Sequence, residues 1–195
     1  MEEKYQKRAK YILLFLFLVL IIFLTVFILK PSKYSSDYNG FFIQKLEDGY
    51  KTRLYIGDKG PYYINTNYHP KDVEGLKIDI DLKNELNGKN NVYIAIDPYD
   101  ANLTGRTTVA ALELNNVIEA FYRIPVGSAF TKEKDNHTIK TCPTKNNAEE
   151  IFLLQLDKET KILKSGNCII LKAQQQEELI KEADAIIFNL LGITR

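Results

Sequence analysis

The sequence predicts an α+β or α/β protein in which an N-terminal transmembrane helix precedes a single domain. Three observations lead to this fold class. A long uncharged apolar run lies near the N-terminus, short strand-like runs separated by turns follow it, and the second half mixes apolar strands with segments of helical periodicity. We expect the domain to hold an antiparallel three-strand meander and a small mixed sheet packed by at least two helices.

The first predicted element is a transmembrane anchor at residues 11–29. These 19 residues contain no charge, no proline and no glycine. As a helix they would rise about 28 Å, which is close to the hydrocarbon thickness of a bilayer. No small-residue cleavage motif follows the run, which favours an uncleaved anchor over a signal peptide. The sequence therefore predicts a single-pass protein of the cell membrane, with the lipid bilayer as its first partner.

Flanking charge predicts the orientation of this anchor. Four Lys or Arg residues lie within residues 1–10, whereas two follow the run within residues 30–36. Because positive residues remain on the cytoplasmic side, we expect residues 1–10 to form a cytoplasmic tail. Residues 30–40 then form a polar linker, and residues 41–195 form an extracytoplasmic α+β domain.

The domain begins with a predicted β meander at residues 41–68. Its runs are rich in Tyr, Phe, Ile and Thr, and Gly and Asp residues mark the turns between them. A helical turn is predicted at Pro70–Glu74, and the alternation over Leu76–Leu82 predicts a half-exposed strand. The three predicted strands of the meander are Phe41–Leu46, Thr52–Ile56 and Tyr62–Asn67.

Tyrosine is abundant in and around this meander. Tyrosine suits half-buried sheet surfaces, so packing is the favoured interpretation, and an exposed face for a partner or a glycan is the alternative. The residues concerned are Tyr50, Tyr55, Tyr62, Tyr63 and Tyr68.

Residues 76–195 are predicted to form the mixed-sheet part. Apolar residues recur at helical spacing over residues 107–122 and 174–191, with Pro125 ending the first helix and Gly192 capping the second. On the first helix, Glu113 is expected to face away from the core. The predicted strands after Leu76–Leu82 are Val92–Ile96, Val126–Phe130, Ile151–Leu156, Lys161–Leu163 and Cys168–Leu171.

Composition excludes several functional classes. The chain carries 26 Lys and Arg against 25 Asp and Glu, so no nucleic-acid partner is expected. Its two cysteines and two histidines match no zinc-binding spacing, and no hydrolase or phosphate-loop motif is present. We therefore predict no metal, no cofactor and no catalytic residue.

An extracytoplasmic location has consequences for cysteine and asparagine residues. Outside the cytoplasm disulfides persist, so a Cys142–Cys168 bridge is favoured over two free thiols. Two N-x-T triplets, at Asn102 and Asn136, are candidate glycosylation sites in predicted loops.

The segment Asp97–Thr108, which reads DPYDANLTGRTT, is the candidate ligand-binding site. It connects a buried strand to a helix, and ligands of α/β sheets bind at the carboxyl ends of strands. Asp97 and Asp100 offer carboxylates there. Arg106, Thr107 and Thr108 offer a guanidinium and hydroxyls near a helix N-terminus, which attracts anions. The alternative is purely structural, with the Asp residues closing a turn and a Thr capping the helix.

This segment, with the helix TVAALELNNVIEAFY and the strand SGNCIILK, resembles an uncharacterised group of small membrane-anchored archaeal proteins. The resemblance covers most of residues 41–195. It implies an extracytoplasmic domain on an N-terminal anchor, and it implies no activity.

Two hypotheses of function follow. The first is a binding or scaffolding module for an envelope protein partner, because the chain combines an anchor with an outer domain that lacks a recognisable catalytic set. The second is a ligand-binding or hydrolytic domain that uses Asp97–Thr108.

Overall fold

The computed structural model describes residues 14–23, 25, 35–143 and 146–194. The chain divides into two compact units, Met1–Tyr34 and Ser35–Arg195. In the first unit, residues 14–23 are helical.

The prediction of an N-terminal transmembrane helix is wrong for the residues that the structure describes. Among the described residues, no helix is both long enough and apolar enough to cross a membrane. The predicted tail at 1–10, both ends of the predicted anchor and the first part of the predicted linker lie outside the described residues.

The second unit opens with a four-stranded antiparallel sheet, in the order β1-β2-β3-β4. The prediction of a three-strand meander is therefore wrong by one strand, because Ser35–Tyr38 pairs with the next strand. The turn between them is Asn39-Gly40, with φ angles of 52° and 82°. This is the pattern of a two-residue hairpin turn, and it is the sequence signal that the prediction missed. The strands are β1 Ser35–Tyr38, β2 Phe41–Leu46, β3 Gly49–Ile56 and β4 Lys59–Thr66.

Two short helices connect this sheet to the rest of the unit, namely α1 Pro70–Val73 and α2 Leu82–Leu86. The strand predicted at Leu76–Leu82 is absent, since residues 76–81 have no helix or strand and Leu82 begins α2. The apolar residues of this stretch do pack against the core. The alternation therefore correctly indicates that one side of the segment is buried. In the described part of the chain, however, no neighbouring strand pairs with the segment.

A five-stranded mixed sheet follows, in the order β6-β5-β7-β9-β8. Strands β5, β6, β7 and β9 are parallel, and β8 is antiparallel to β9. Helix α3 continues as a turn of π-helix at Ile118–Tyr122. The elements are β5 Asn91–Ile96, α3 Gly105–Val117, β6 Val126–Phe130, β7 Glu149–Leu156, β8 Lys161–Lys164, β9 Cys168–Ala173 and α4 Gln176–Leu190.

Helix α4 lies at the centre of the main core. Ten of its 15 residues are buried, and a helix buried on nearly every side must be covered by more than one layer. Phe152 and Leu154 of the mixed sheet share this core with Ile43 and Ile64 of the antiparallel sheet. Both sheets therefore bury one face against the same apolar core. The opposite face of the mixed sheet forms a smaller cluster of Ala95, Ala129, Ile151 and Cys168, covered in part by Cys142.

Candidate functional site

The Asp97–Thr108 loop follows β5 at the carboxyl edge of the mixed sheet. The chain leaves β5 through α3 to reach β6 on one side, while β7 lies on the other side of β5. The loop therefore stands at the point where the strand order reverses, which is where open α/β sheets bind ligands.

The two acidic residues of this loop hold turns. Asp97 Oδ1 accepts a hydrogen bond from Tyr99 N at 3.0 Å, and its Oδ2 accepts one from Lys132 Nζ at 2.6 Å. The Lys132 and Tyr99 hydrogen bonds lower the pKa of Asp97. Asp100 Oδ1 accepts from both the backbone and the side-chain nitrogen of Asn102, at 3.0 and 3.1 Å. Both carboxylates thus have the turn-forming contacts of the structural alternative.

The start of α3 is occupied by a side chain that the sequence did not reveal. Gln176 Oε1 accepts from Thr104 N and Thr104 Oγ1, each at 2.8 Å, and from Thr107 Oγ1 at 3.1 Å. Arg106 Nε lies 3.6 Å from Glu177 Oε1. The amide oxygen of Gln176 therefore stands where an anion would bind, and its position 69 residues beyond Thr107 gave no local signal.

The structure brings only part of the predicted set together. Asp97 and Asp100 line a cavity of about 420 Å³ with Thr131, Thr141 and Gln155. Arg106 does not line this cavity, and Thr107 and Thr108 line a separate apolar groove of about 360 Å³ beside β6. The five candidate residues therefore do not form one site.

The predicted disulfide is present. Cys142 and Cys168 are bonded, with their Cα atoms 5.8 Å apart. The bond ties the loop after β6 to the first residue of β9, where Cys168 is fully buried. The candidate glycosylation residues Asn102 and Asn136 are both exposed.

A buried pair of acids joins α3 to α4. Glu113 Oε1 accepts from Asn67 Nδ2 at 2.5 Å, and Asp184 Oδ2 accepts from Tyr68 N at 2.7 Å. The two carboxyl groups lie close enough to interact, and a hydrogen bond between them would require a shared proton. Their remaining oxygens are buried without another partner in the part of the chain that the structure describes.

Burial favours the protonated form of both carboxyl groups. It raises the pKa of Glu113 to about 7, and it raises the pKa of Asp184 well above its usual range, with the charge of Glu113 adding to the effect. Elsewhere on α4, burial and then the charge of Glu178 raise the pKa of Glu182 to about 9. Glu113 is predicted to face away from the core, but it is half-buried, because the loop after β4 covers it.

The outer face of the antiparallel sheet carries a second group of candidate residues. We name it the aromatic face and define it by Phe42, Lys51, Arg53, Tyr55 and Tyr63. Phe42, Arg53 and Tyr63 are in direct cross-strand register. The three aromatic residues are 40%, 62% and 58% exposed in chain order. Exposed aromatic side chains on one sheet face are the kind of surface that marks a binding site.

Cations lie against these rings. Arg53 Cζ is 4.9 Å from the centroid of the Phe42 ring and 5.8 Å from that of Tyr55. Lys51 Nζ is 5.8 Å from the centroid of Tyr63. The tyrosines of the sheet therefore separate into two sets, since Tyr50 packs on the core whereas Tyr55 and Tyr63 point to solvent. The preference for packing over an exposed face is wrong for this second set.

Comparison with known proteins finds no matching family model, no matching curated protein and no matching solved structure. The resemblance to membrane-anchored archaeal proteins therefore stays a prediction. Any function must be argued from the geometry of this chain.

Proposed function

We propose that Ser35–Arg195 is an extracytoplasmic binding module that docks an envelope protein through the aromatic face. The observation that carries the proposal is the exposure of Phe42, Tyr55 and Tyr63 around Arg53. Tyr, Phe and Arg are enriched at the centres of protein–protein interfaces, where they supply most of the binding energy. The opposite side of the same strands is buried, so this face has no role in the core.

The disulfide supports the location. Bridges of this kind form and persist in oxidising compartments and are rare in the cytosol. Labelling with a permeant maleimide in intact cells tests it. We expect Cys142 and Cys168 to react only after reduction, and free labelling without reduction would contradict an oxidising location.

The loop Asp97–Thr108 is not part of the proposal. Its carboxylates hold turns, Arg106 pairs with Glu177, and Thr107 bonds to Gln176. With these hydrogen bonds and this ion pair in place, the loop presents no nucleophile beside a general base.

Site-specific photo-crosslinking in the native cells tests the proposed docking. A benzoylphenylalanine placed at position 63 samples the aromatic face. The same residue at position 99 is the matched control, because Tyr99 is 63% exposed on the loop after β5. We expect a discrete crosslinked envelope protein from position 63 and none from position 99. Equal yields of the same products at both positions would overturn the proposal.

A further inference from the structure

The geometry points to a carboxylate-binding site at the centre of the aromatic face, where Arg53 and Lys51 bind an extended acidic segment of the partner protein. This inference rests on the proposed function, because it names the chemistry that the docking face would recognise. It requires Asp or Glu residues at alternate positions of the segment.

Arg53 lies among aromatic neighbours. Phe42 is its direct cross-strand partner on β2 and Tyr63 is its partner on β4, while Tyr55 follows two residues later on the same face. The guanidinium lies against the Phe42 and Tyr55 rings. A guanidinium also carries a planar fork of N–H groups, which matches a carboxylate in a bidentate geometry.

Lys51 supplies a second positive charge at a defined spacing. It precedes Arg53 by two residues on β3, so both side chains lie on the same side of the sheet. Alternate residues of a strand are about 7 Å apart. An extended partner segment has the same repeat, so carboxylates at its positions i and i+2 align with Lys51 and Arg53.

The charges of these two residues are not neutralised within the described part of the chain. Neither Arg53 nor Lys51 has an ion pair there, whereas the lysines of the mixed-sheet part commonly do, as Lys132 does with Asp97 and Lys172 with Asp157. On the same side of the sheet, the Asp37 carboxylate of β1 accepts from Gly40 N at 3.1 Å. Asp37 keeps its negative charge, so Lys51 and Arg53 leave these three residues with one net positive charge, and the electrostatic complement of the face is an acidic partner.

The contacts favour a protein segment over a glycan. A sugar ring binds an aromatic side chain by lying on its open face, but Phe42 and Tyr63 each have a cation near one face. The two cations therefore stand beside the rings on this face. Such a surface suits carboxylates carried on short aliphatic stems, as Asp and Glu carry them.

Fluorescence anisotropy with the purified full chain tests the inference. The probe is a labelled peptide in which Glu alternates with Thr, and the control peptide replaces each Glu with Gln. We expect Arg53→Gln to weaken binding of the acidic peptide on the order of tenfold, and Lys51→Gln about threefold, because the guanidinium makes the bidentate contact. Arg53→Lys should also weaken binding several-fold, since lysine keeps the charge but loses the planar fork.

Lys77→Gln is the matched control for net charge. Lys77 is exposed on the connection between α1 and α2 and should change affinity less than about twofold, as expected of an isolated surface charge. Circular dichroism of each variant establishes that the fold is retained.

Several outcomes would overturn the inference. Equal affinity for the Glu and Gln peptides would exclude carboxylate recognition, and full binding by Arg53→Gln would exclude the proposed residue. Tighter, Arg53-dependent binding to polygalacturonate or to phosphatidylserine vesicles than to the peptide would assign the face to a glycan or to a membrane. If crosslinking from position 63 succeeds while the peptide fails, the docking proposal stands and this inference alone falls.

Discussion

The two sheets of Ser35–Arg195 use their charged side chains in opposite ways. At the mixed sheet, charges are largely satisfied internally. Asp97 pairs with Lys132 and Asp157 with Lys172, each at 2.6 Å, and the fully buried Glu150 lies 2.7 and 3.0 Å from two lysine nitrogens. Such pairing fixes loops and strand ends, and it leaves those groups little freedom to bind anything else.

On the antiparallel sheet, by contrast, Arg53 and Lys51 lie on aromatic rings and point to solvent. A polar loop at a strand end is the usual place to look for a site in an α/β sheet. The polar groups of a loop at a strand end can already have partners within the protein. Whether they do is therefore a better guide to a binding site than the position of the loop. The following predictions test this contrast, beginning with the largest expected effect.

Truncation in the shared core should be the most damaging change. Phe152 of β7 is fully buried, and Phe152→Ala should lower the free energy of unfolding by about 3–5 kcal/mol, through lost burial and the cavity that remains. Urea denaturation followed by circular dichroism measures the loss. Phe42→Ala on the aromatic face is the control and should cost far less. A loss below about 1 kcal/mol for Phe152→Ala would contradict the placement of this residue in the core.

Removal of the disulfide should have the next largest effect. Cys142 and Cys168 are 26 residues apart, and closure of a loop of this length stabilises a fold by roughly 3 kcal/mol. The double variant Cys142→Ser, Cys168→Ala should lose about that much in the same denaturation experiment. The oxidised wild type and the wild type held in reductant are the references. A variant as stable as the oxidised protein would show that the loop is ordered without the bridge.

The buried acid pair should make stability depend on pH. Burial raises the pKa of Glu113 from 4.5 to about 7, so the folded chain binds more protons than the unfolded chain between these values. The stability present below pH 4.5 is therefore lost as the pH rises through about 7. Glu113→Gln removes this titration, and the fall in unfolding free energy from pH 5 to pH 8 should shrink by roughly 1–3 kcal/mol.

The control for this pH measurement is Glu47→Gln, because Glu47 is an exposed residue of the β2–β3 turn. It should leave the pH dependence of stability unchanged. If Glu113→Gln and the wild type lose stability in parallel between pH 5 and pH 8, the shared proton is refuted.

The smallest effect is expected on the aromatic face. Tyr63→Ser removes a ring that is 58% exposed and outside the core, so the free energy of unfolding should change by less than about 0.5 kcal/mol. The same variant should nevertheless lose the docking described above. Thermal unfolding monitored by circular dichroism measures the change in stability. A loss comparable to that of Phe152→Ala would mean that the face serves folding rather than binding.

Predictions from the sequence succeeded where burial leaves a local pattern. The strand Val126–Phe130 is observed at its predicted bounds, and the apolar stripe of α4 lies in the core. They failed where an element depends on its partner. Ser35–Tyr38 is polar and short, and only pairing with β2 makes it a strand. Leu76–Leu82 alternates apolar and polar residues as a strand does, but it forms no strand because no neighbouring strand pairs with it in the described part of the chain.

The candidate sites were likewise predictable only where the signal is local. The Cys142–Cys168 bridge was predictable from the cysteine count and the expected compartment, and the turns at Asp97 and Asp100 were predictable from the residue types. Gln176 at the start of α3 was not predictable, because the two segments are distant in sequence and meet only after folding.

By itself the sequence determined the apolar run near the N-terminus, the central strands, the long helices and the cysteine pair, since each depends on residue type and on spacing along the chain. Only tertiary packing brought Glu113 next to Asp184 and separated Tyr50 from Tyr63. Burial on the second side of a helix, and exposure of one face of a sheet, depend on which other elements pack there. That information resides in contacts between distant residues, and no local pattern records it.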